Sequence, residues 1–184
     1  MGPPAVKIQR LTPESEAEFA RIHCDATGNG WCHCVAWWVP TWDGWGERKA
    51  DENVALRRKL FEDGVHDGYL IYSGDELAGW CQAWRRDAFA KLAAQFGVAS
   101  DDDGWMIGCV LILPAFREHG VATEALTLIV DDLKLRGVRS VDAYPKRGAQ
   151  EAGELWNGAE STYARLGFTV VREDAKRPVL RLTF

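Results

Sequence analysis

The 184-residue chain has no apolar run approaching the roughly 20 residues that a helical membrane span needs. Met1 to Arg10 lacks the apolar core of a secretory signal. There is no basic excess either. Lys and Arg number 22 against 27 Asp and Glu, a net charge of −5, whereas a nucleic-acid backbone ordinarily needs a basic face. Repeats, linkers and low-complexity stretches are missing too. The five cysteines are an odd set, so at least one cannot pair within the chain, and five thiols in a cytoplasmic setting are expected. Against these absences, 47% hydrophobic and 27% charged residues are ordinary for a folded chain. The length suits one domain over residues 1–184.

Tryptophan is what the sequence has in excess. Five of the nine (Trp31, Trp37, Trp38, Trp42 and Trp45) fall within fifteen residues, in a Trp- and Cys-rich segment at about 28–46. His23, Cys24, Cys32, His33 and Cys34 are five potential metal ligands within twelve residues. Cys-x-Cys is tighter than the usual zinc spacing and no second ligand pair follows, so no metal is expected and small buried thiols are the ordinary reading.

Periodicity supplies the elements. Val6 to Leu11 alternates like a strand. Thr12-Pro13 opens a helix carrying Phe19, Ile22 and Ala26, which Gly28-Asn29-Gly30 ends. A second helix is predicted over Glu52–Asp63. Tyr69–Tyr72 and Leu77–Trp84 form a hairpin around Ser73-Gly74-Asp75-Glu76. Phe89, Leu92, Ala93 and Phe96 mark a short helix closed by Gly97. Trp105–Leu113 reads as a strand. Ala122, Ala125, Leu126, Ile129 and Leu133 share the apolar face of a long helix. Ser140–Tyr144 is a strand, Glu154–Leu166 a helix, and Phe168–Val171 and Val179–Phe184 the last strands.

The most informative segment is Leu113-Pro114-Ala115-Phe116-Arg117-Glu118-His119-Gly120-Val121-Ala122, between a strand and a helix. A small-residue loop that opens a helix turns free backbone N–H groups toward an anion, and the helix dipole favours negative charge. Gly120 lets the backbone approach a pyrophosphate closely.

Arg117 to Ala122 resembles motif A of the GNAT superfamily of acyl-CoA N-acyltransferases, Gln/Arg-x-x-Gly-x-Gly/Ala. Pro114-Ala115-Phe116 is similar to that family's Pro-Glu-Tyr lead-in. Tyr163-Ala164-Arg165-Leu166-Gly167-Phe168 resembles its Tyr-x-x-x-Gly-Phe block. The two blocks stand in the family's order and span Trp105 to Val171, about a third of the chain. The Phe89–Phe96 insertion departs from the simplest family pattern, in which those two strands join directly.

The resemblance implies an α/β (α+β) single-domain GNAT-like fold, a mixed twisted sheet of about six to seven strands flanked by helices. It implies an N-acetyltransferase that moves an acetyl group from acetyl-CoA to a primary amine of a small molecule by direct attack in a ternary complex. The backbone of Arg117, Glu118, His119, Gly120, Val121, Ala122 and Thr123 would hold the pyrophosphate. Leu111, Ile112 and Leu113 would pair with the pantetheine arm and place an N–H near the thioester oxygen. Tyr163 would protonate the departing thiolate, the two groups being similarly basic. Asn157 would touch CoA, although the family's Asn usually lies seven residues before the tyrosine, where this chain has Trp156.

The family has no fixed base, and neither Asp101, Asp102, Asp103 nor His33 is singled out. In the family the segment after the first strand binds the acceptor. Trp31, His33, Trp37 and Trp38 would then wall an apolar or cationic amine by cation–π contact, or else the tryptophans form a satellite core over the sheet. The expected partners are acetyl-CoA and a small-molecule amine, with no nucleic acid and no membrane; a homodimer stays open. Two rivals also stay open: a non-catalytic acyl-CoA-binding sensor or scaffold of the same fold, and acylation of a peptide or protein amine.

Overall fold

The computed structural model describes residues 4–97, 104–148, 151 and 154–184. Its strands are β1 (Val6–Arg10), β2 (Gly68–Ser73), β3 (Glu76–Arg85), β4 (Trp105–Ile112), β5 (Ser140–Ala143), β6 (Thr169–Arg172) and β7 (Val179–Thr183). The helices are α1 (Glu16–Ile22), α2 (Ala50–Glu62), α3 (Ala90–Phe96), α4 (Val121–Leu135) and α5 (Glu160–Arg165). The order of elements is the one the periodicity predicts. All seven strands form one open mixed sheet, β1-β2-β3-β4-β5-β7-β6. Only β4 and β5 run parallel, and α4 is the crossover that a parallel pair requires.

Side-chain alternation fixes the two faces of the sheet. Along β3, Cys81 and Ala83 pack with Ala125, Leu126, Ile129 and Leu133 of α4, the face read from the sequence. Trp80, one residue before Cys81, packs on the other side with Phe19 and Ile22 of α1 and with Cys109 of β4. A third cluster joins Trp37, Phe89, Leu92, Phe96, Met106, Tyr144 and Val179, so the α3 insertion is anchored by its own apolar side chains.

Two helices differ from the sequence reading. The first ends at Ile22, and Asp25–Thr27 makes a separate short turn before Gly28. The helix expected over Glu154–Leu166 is broken. Leu155–Asn157 forms a single turn, Gly158 follows at φ 81° and ψ 165°, and α5 starts at Glu160. That conformation is open essentially only to glycine.

The feature that positions the site is where β4 and β5 part. They pair only at Trp105↔Val141, Met106↔Asp142 and Ile107↔Ala143. At the next residue β4 bulges. Gln82 of β3 faces Cys109 and Ala83 faces Ile107, leaving Gly108 unpaired. A Cβ at Gly108 would stand 2.5 Å from Gln82 Oε1 and 2.9 Å from Trp37 Cδ1, so the bulge requires glycine.

Candidate functional site

Beyond the bulge, β4 borders a groove of about 770 Å³. Cys109, Val110, Leu111 and Ile112 line one side. Leu155, Trp156, Gly158, Ala159 and Thr162 line the facing wall. Phe116, Arg117, Glu118, Gly120, Val121, Ala122 and Thr123 close one end.

That end is the start of a helix, a place that could hold an anion. Glu118 sits at φ 65° and Gly120, the residue before α4, at φ 78°. The first-turn N–H groups of α4 lack intrahelical acceptors, and the helix dipole there favours an anion. Arg117 Nε donates to Ile112 O at 2.8 Å and ties the loop to the end of β4. Of the residues expected there, Leu113 and His119 are not on the groove wall. The Leu113 N–H is committed to Ala78 O at 2.8 Å, and its side chain packs with the α1-side cluster.

At the other end the bulge is held from two directions. Trp37 Nε1 donates to Gly108 O at 3.0 Å and Asn157 Nδ2 to the same oxygen at 2.6 Å. Asn157 is fully buried and lies behind the groove lining. Tyr163 lies behind it as well. It is fully buried, its hydroxyl donates to Asn157 O at 2.7 Å, and burial pushes its pKa well above the usual phenol value. The hydroxyl stands 2.7 Å from where a Cβ on Gly158 would be, and Gly158 itself lines the groove.

The Trp- and Cys-rich segment is clamped by a buried polar hub. Arg57 of α2 pairs with Asp67 at 2.7 Å and donates from Nε to His33 O and from Nη2 to Cys34 O. Asp67 Oδ2 also accepts from Trp38 Nε1 at 2.7 Å and from Gln82 Nε2 at 2.6 Å. His33 and Cys34 are held at φ 45° and 53°, conformations that non-glycine residues seldom adopt without such support. Gln82 Oε1 is a buried acceptor with no donor among the described residues.

The four residues expected to wall an acceptor do not share one surface. Trp37 is in the core, 2% exposed, with its ring 6.1 Å from Trp156. Trp38 packs on Phe89. Trp31 is 39% exposed and stacks edgewise on Trp45. His33 lines a separate cavity of about 530 Å³ with Phe19, Arg57 and Phe61, and burial lowers its pKa. What joins this segment to the groove is Asn29, which lines it, and the Trp37–Trp156 contact. Asp101, Asp102 and Asp103 lie outside the described residues. Among the described residues no three His, Cys, Asp or Glu side chains converge as metal ligands would, and no helix is long and apolar enough to cross a membrane.

Three residues that matter here went unread in the sequence: Gly108, Gln82 and Trp156. Trp156 left a signal, since it occupies the position where the resembled family carries asparagine.

Comparison with known proteins agrees with this fold. No curated protein sequence matches the chain. Among solved structures, the PaiA N-acetyltransferase of Thermoplasma acidophilum, in complex with coenzyme A, is similar at 12% identity and TM-score 0.56, with 98% of this chain and 99% of that one covered. A GNAT-family acetyltransferase of Listeria monocytogenes gives 10% identity and TM-score 0.62 over 97% and 95%. The yncA protein of Salmonella typhimurium, with its cofactor acetyl-CoA, gives 16% and 0.55 over 97% and 94%. At such identities these likenesses show the fold. The sequence profile of the Acetyltransferase (GNAT) family matches residues 31–168, most of the chain, and the chain therefore belongs to that family.

Proposed function

We propose that this protein transfers the acetyl group of acetyl-CoA to the primary amine of a small molecule, by direct attack while both are bound. The observation that carries the reading is the groove itself. The start of α4, a place that could hold an anion, opens onto a strand edge left unpaired from Gly108 onward. Pyrophosphate would sit on the backbone of Arg117–Thr123. The pantetheine amides would pair with Cys109–Ile112, and a strand N–H would face the thioester oxygen as charge develops there.

In the step itself the amine nitrogen forms a bond to the acetyl carbon, the carbon–sulfur bond breaks, and the nitrogen's surplus proton passes to solvent. The thiolate takes its proton from Tyr163, and the phenolate left behind recovers one from solvent before the next turnover. Burial keeps that phenol protonated, and reaching the sulfur requires the Gly158 backbone to shift so that the hydroxyl leaves Asn157 O. The direct test follows thiol release from acetyl-CoA across an amine library, with Tyr163→Phe as the control. Release with no amine, or equal release by the variant, rejects the transfer or the acid.

One observation favours a second reading, an acyl-CoA-binding sensor. The Tyr163 hydroxyl is bonded to the protein's own backbone and lies off the groove surface. That reading predicts CoA binding with no thiol release to any amine.

A further inference from the structure

Arg177, just before β7, lies half-buried over the Trp156 ring, its guanidinium carbon 5.4 Å from the ring centroid. Nη1 donates to Asn157 Oδ1 at 2.7 Å and to Tyr144 O at 3.3 Å, both neutral acceptors. Asp174 accepts from the Arg177 backbone N–H and not from its side chain. Among the described residues no carboxylate reaches the guanidinium, and Nε and Nη2 have no acceptor. Burial accordingly lowers its pKa with no charge to offset the effect. Arg48 likewise meets only neutral acceptors, Asn53 Oδ1 and Glu52 O, whereas the remaining shielded arginines have carboxylates. Arg57 has Asp67, Arg86 and Arg181 share Asp142, and Arg147 has Glu160. A cation withdrawn from water without a counter-ion is unfavourable, and an anionic ligand relieves it.

Arg177 does not itself line the groove; its contacts put it beside one end of it, behind Trp156. Trp156 is on the groove wall, and Asn157 is bonded to Gly108, where β4 leaves β5. At about 3.3 Å per strand residue, Gly108 lies roughly 13 Å from Ile112 and the start of α4. Arg177 is therefore at the end away from the pyrophosphate, where an acyl group and its acceptor meet. Across Trp37, whose ring is 5.5 Å from Trp42, stands a second cation of the same kind. Lys91 is 2% exposed, 3.5 Å from the Trp42 centroid, donates to Ala36 O, and has no carboxylate partner among the described residues. In a chain of net charge −5 this aromatic cluster is locally positive.

We infer that the acceptor is an amine that also carries a carboxylate, as an amino acid does, and that Arg177 determines this specificity by donating from Nε and Nη2 to that carboxylate. The fork geometry of guanidinium suits a two-point grip that directs the amine back toward the groove. The inference rests on the acetyl-transfer reading above.

The experiment offers amino acids, each beside the same amine lacking its carboxylate, to the wild type, Arg177→Gln and Arg177→Lys, following thiol release from acetyl-CoA. The same compounds are then tested for thermal shift of the CoA-saturated protein. The expected result is a KM lower by about tenfold or more for the carboxylate-bearing member. Arg177→Gln erases that preference, Arg177→Lys keeps part of it, and the acetyl-CoA KM holds. No preference in the wild type overturns the inference. So does a loss in Arg177→Gln that falls equally on both members of each pair and accompanies a lower melting temperature, since Arg177 is then only a clamp on Asn157. If CoA stabilises the protein but no amine is acetylated, transfer fails alone. Amino acids that then stabilise the loaded wild type and not Arg177→Gln support the carboxylate site, and the absence of any such shift overturns it. A protein that CoA does not stabilise loses both readings.

Discussion

Single residues here combine burial with chemistry, and two of them make separable predictions. Removing the Tyr163 hydroxyl leaves Asn157 O without its donor, which costs about 1–3 kcal/mol whatever the residue's catalytic role. A melt alone therefore cannot identify an acid. Tyr163→Phe should also lower kcat by roughly 10²–10⁴ while the acetyl-CoA Kd stays nearly constant. An unchanged kcat with a lower melting temperature would leave Tyr163 as a pin for the Asn157–Gly158 turn.

Lys91 is readable through pH. Burial among indoles brings its pKa down to about 8. The folded protein thus releases this proton more readily than the unfolded chain does. Unfolding then takes up a proton between about pH 8 and the ordinary lysine range near 10.4. Wild-type stability should rise relative to Lys91→Met as pH climbs through that window, and the difference should be flat below pH 8. Melts of both proteins across pH 7 to 10 check this.

Elements were legible in the sequence wherever periodicity decides them. The α4 face and the β2–β3 hairpin stand where the apolar spacing and Gly74-Asp75 place them. The Leu155–Arg165 stretch was not, because local helical preference there gives way to bonds far along the chain, from Asn157 to Gly108 and to Arg177. The Arg57–Asp67 hub was invisible for a similar reason. Arg57 is a polar residue in an amphipathic pattern, and nothing nearby in sequence shows that its nitrogens hold the carbonyls of His33 and Cys34. The tryptophans resisted a single reading because they do different things: Trp37 is core, while Trp31 and Trp42 remain more than a third exposed.

The hub makes the prediction at this scale. Asp67→Asn keeps the shape but strips Arg57 of its buried counter-ion, which should destabilise by about 3–5 kcal/mol. If the hub positions the acceptor segment, the surviving folded protein should show a larger rise in acceptor KM than in acetyl-CoA KM. Equal rises would mean that the hub supports the fold without shaping the acceptor side.

At the scale of the whole molecule, the family and the groove were legible because they depend on local backbone chemistry. A strand, a left-handed loop and a helix start are written in consecutive residues, Leu111 to Thr123. The proposed acceptor side was not, since it would be assembled from Asn29, the bulge at Gly108, Trp156 and Arg177, each on a different element.

The start of α4 therefore gives the most direct global test. A ligand at 100 times its Kd stabilises the folded state by about 2.7 kcal/mol. For a chain of this size each kcal/mol moves the melting temperature by roughly 2–4 °C. Saturating CoA should thus raise it by roughly 5–10 °C. Gly120→Glu places a carboxylate where phosphate would sit and should remove most of that rise. Its left-handed backbone alone would strain any side chain by about 1–2 kcal/mol, so Gly120→Ala is the necessary companion. A Cβ there meets nothing within 4 Å. Gly120→Ala should accordingly melt lower without ligand yet keep most of the CoA shift. Retention of the full shift by Gly120→Glu would place the pyrophosphate somewhere other than the start of α4.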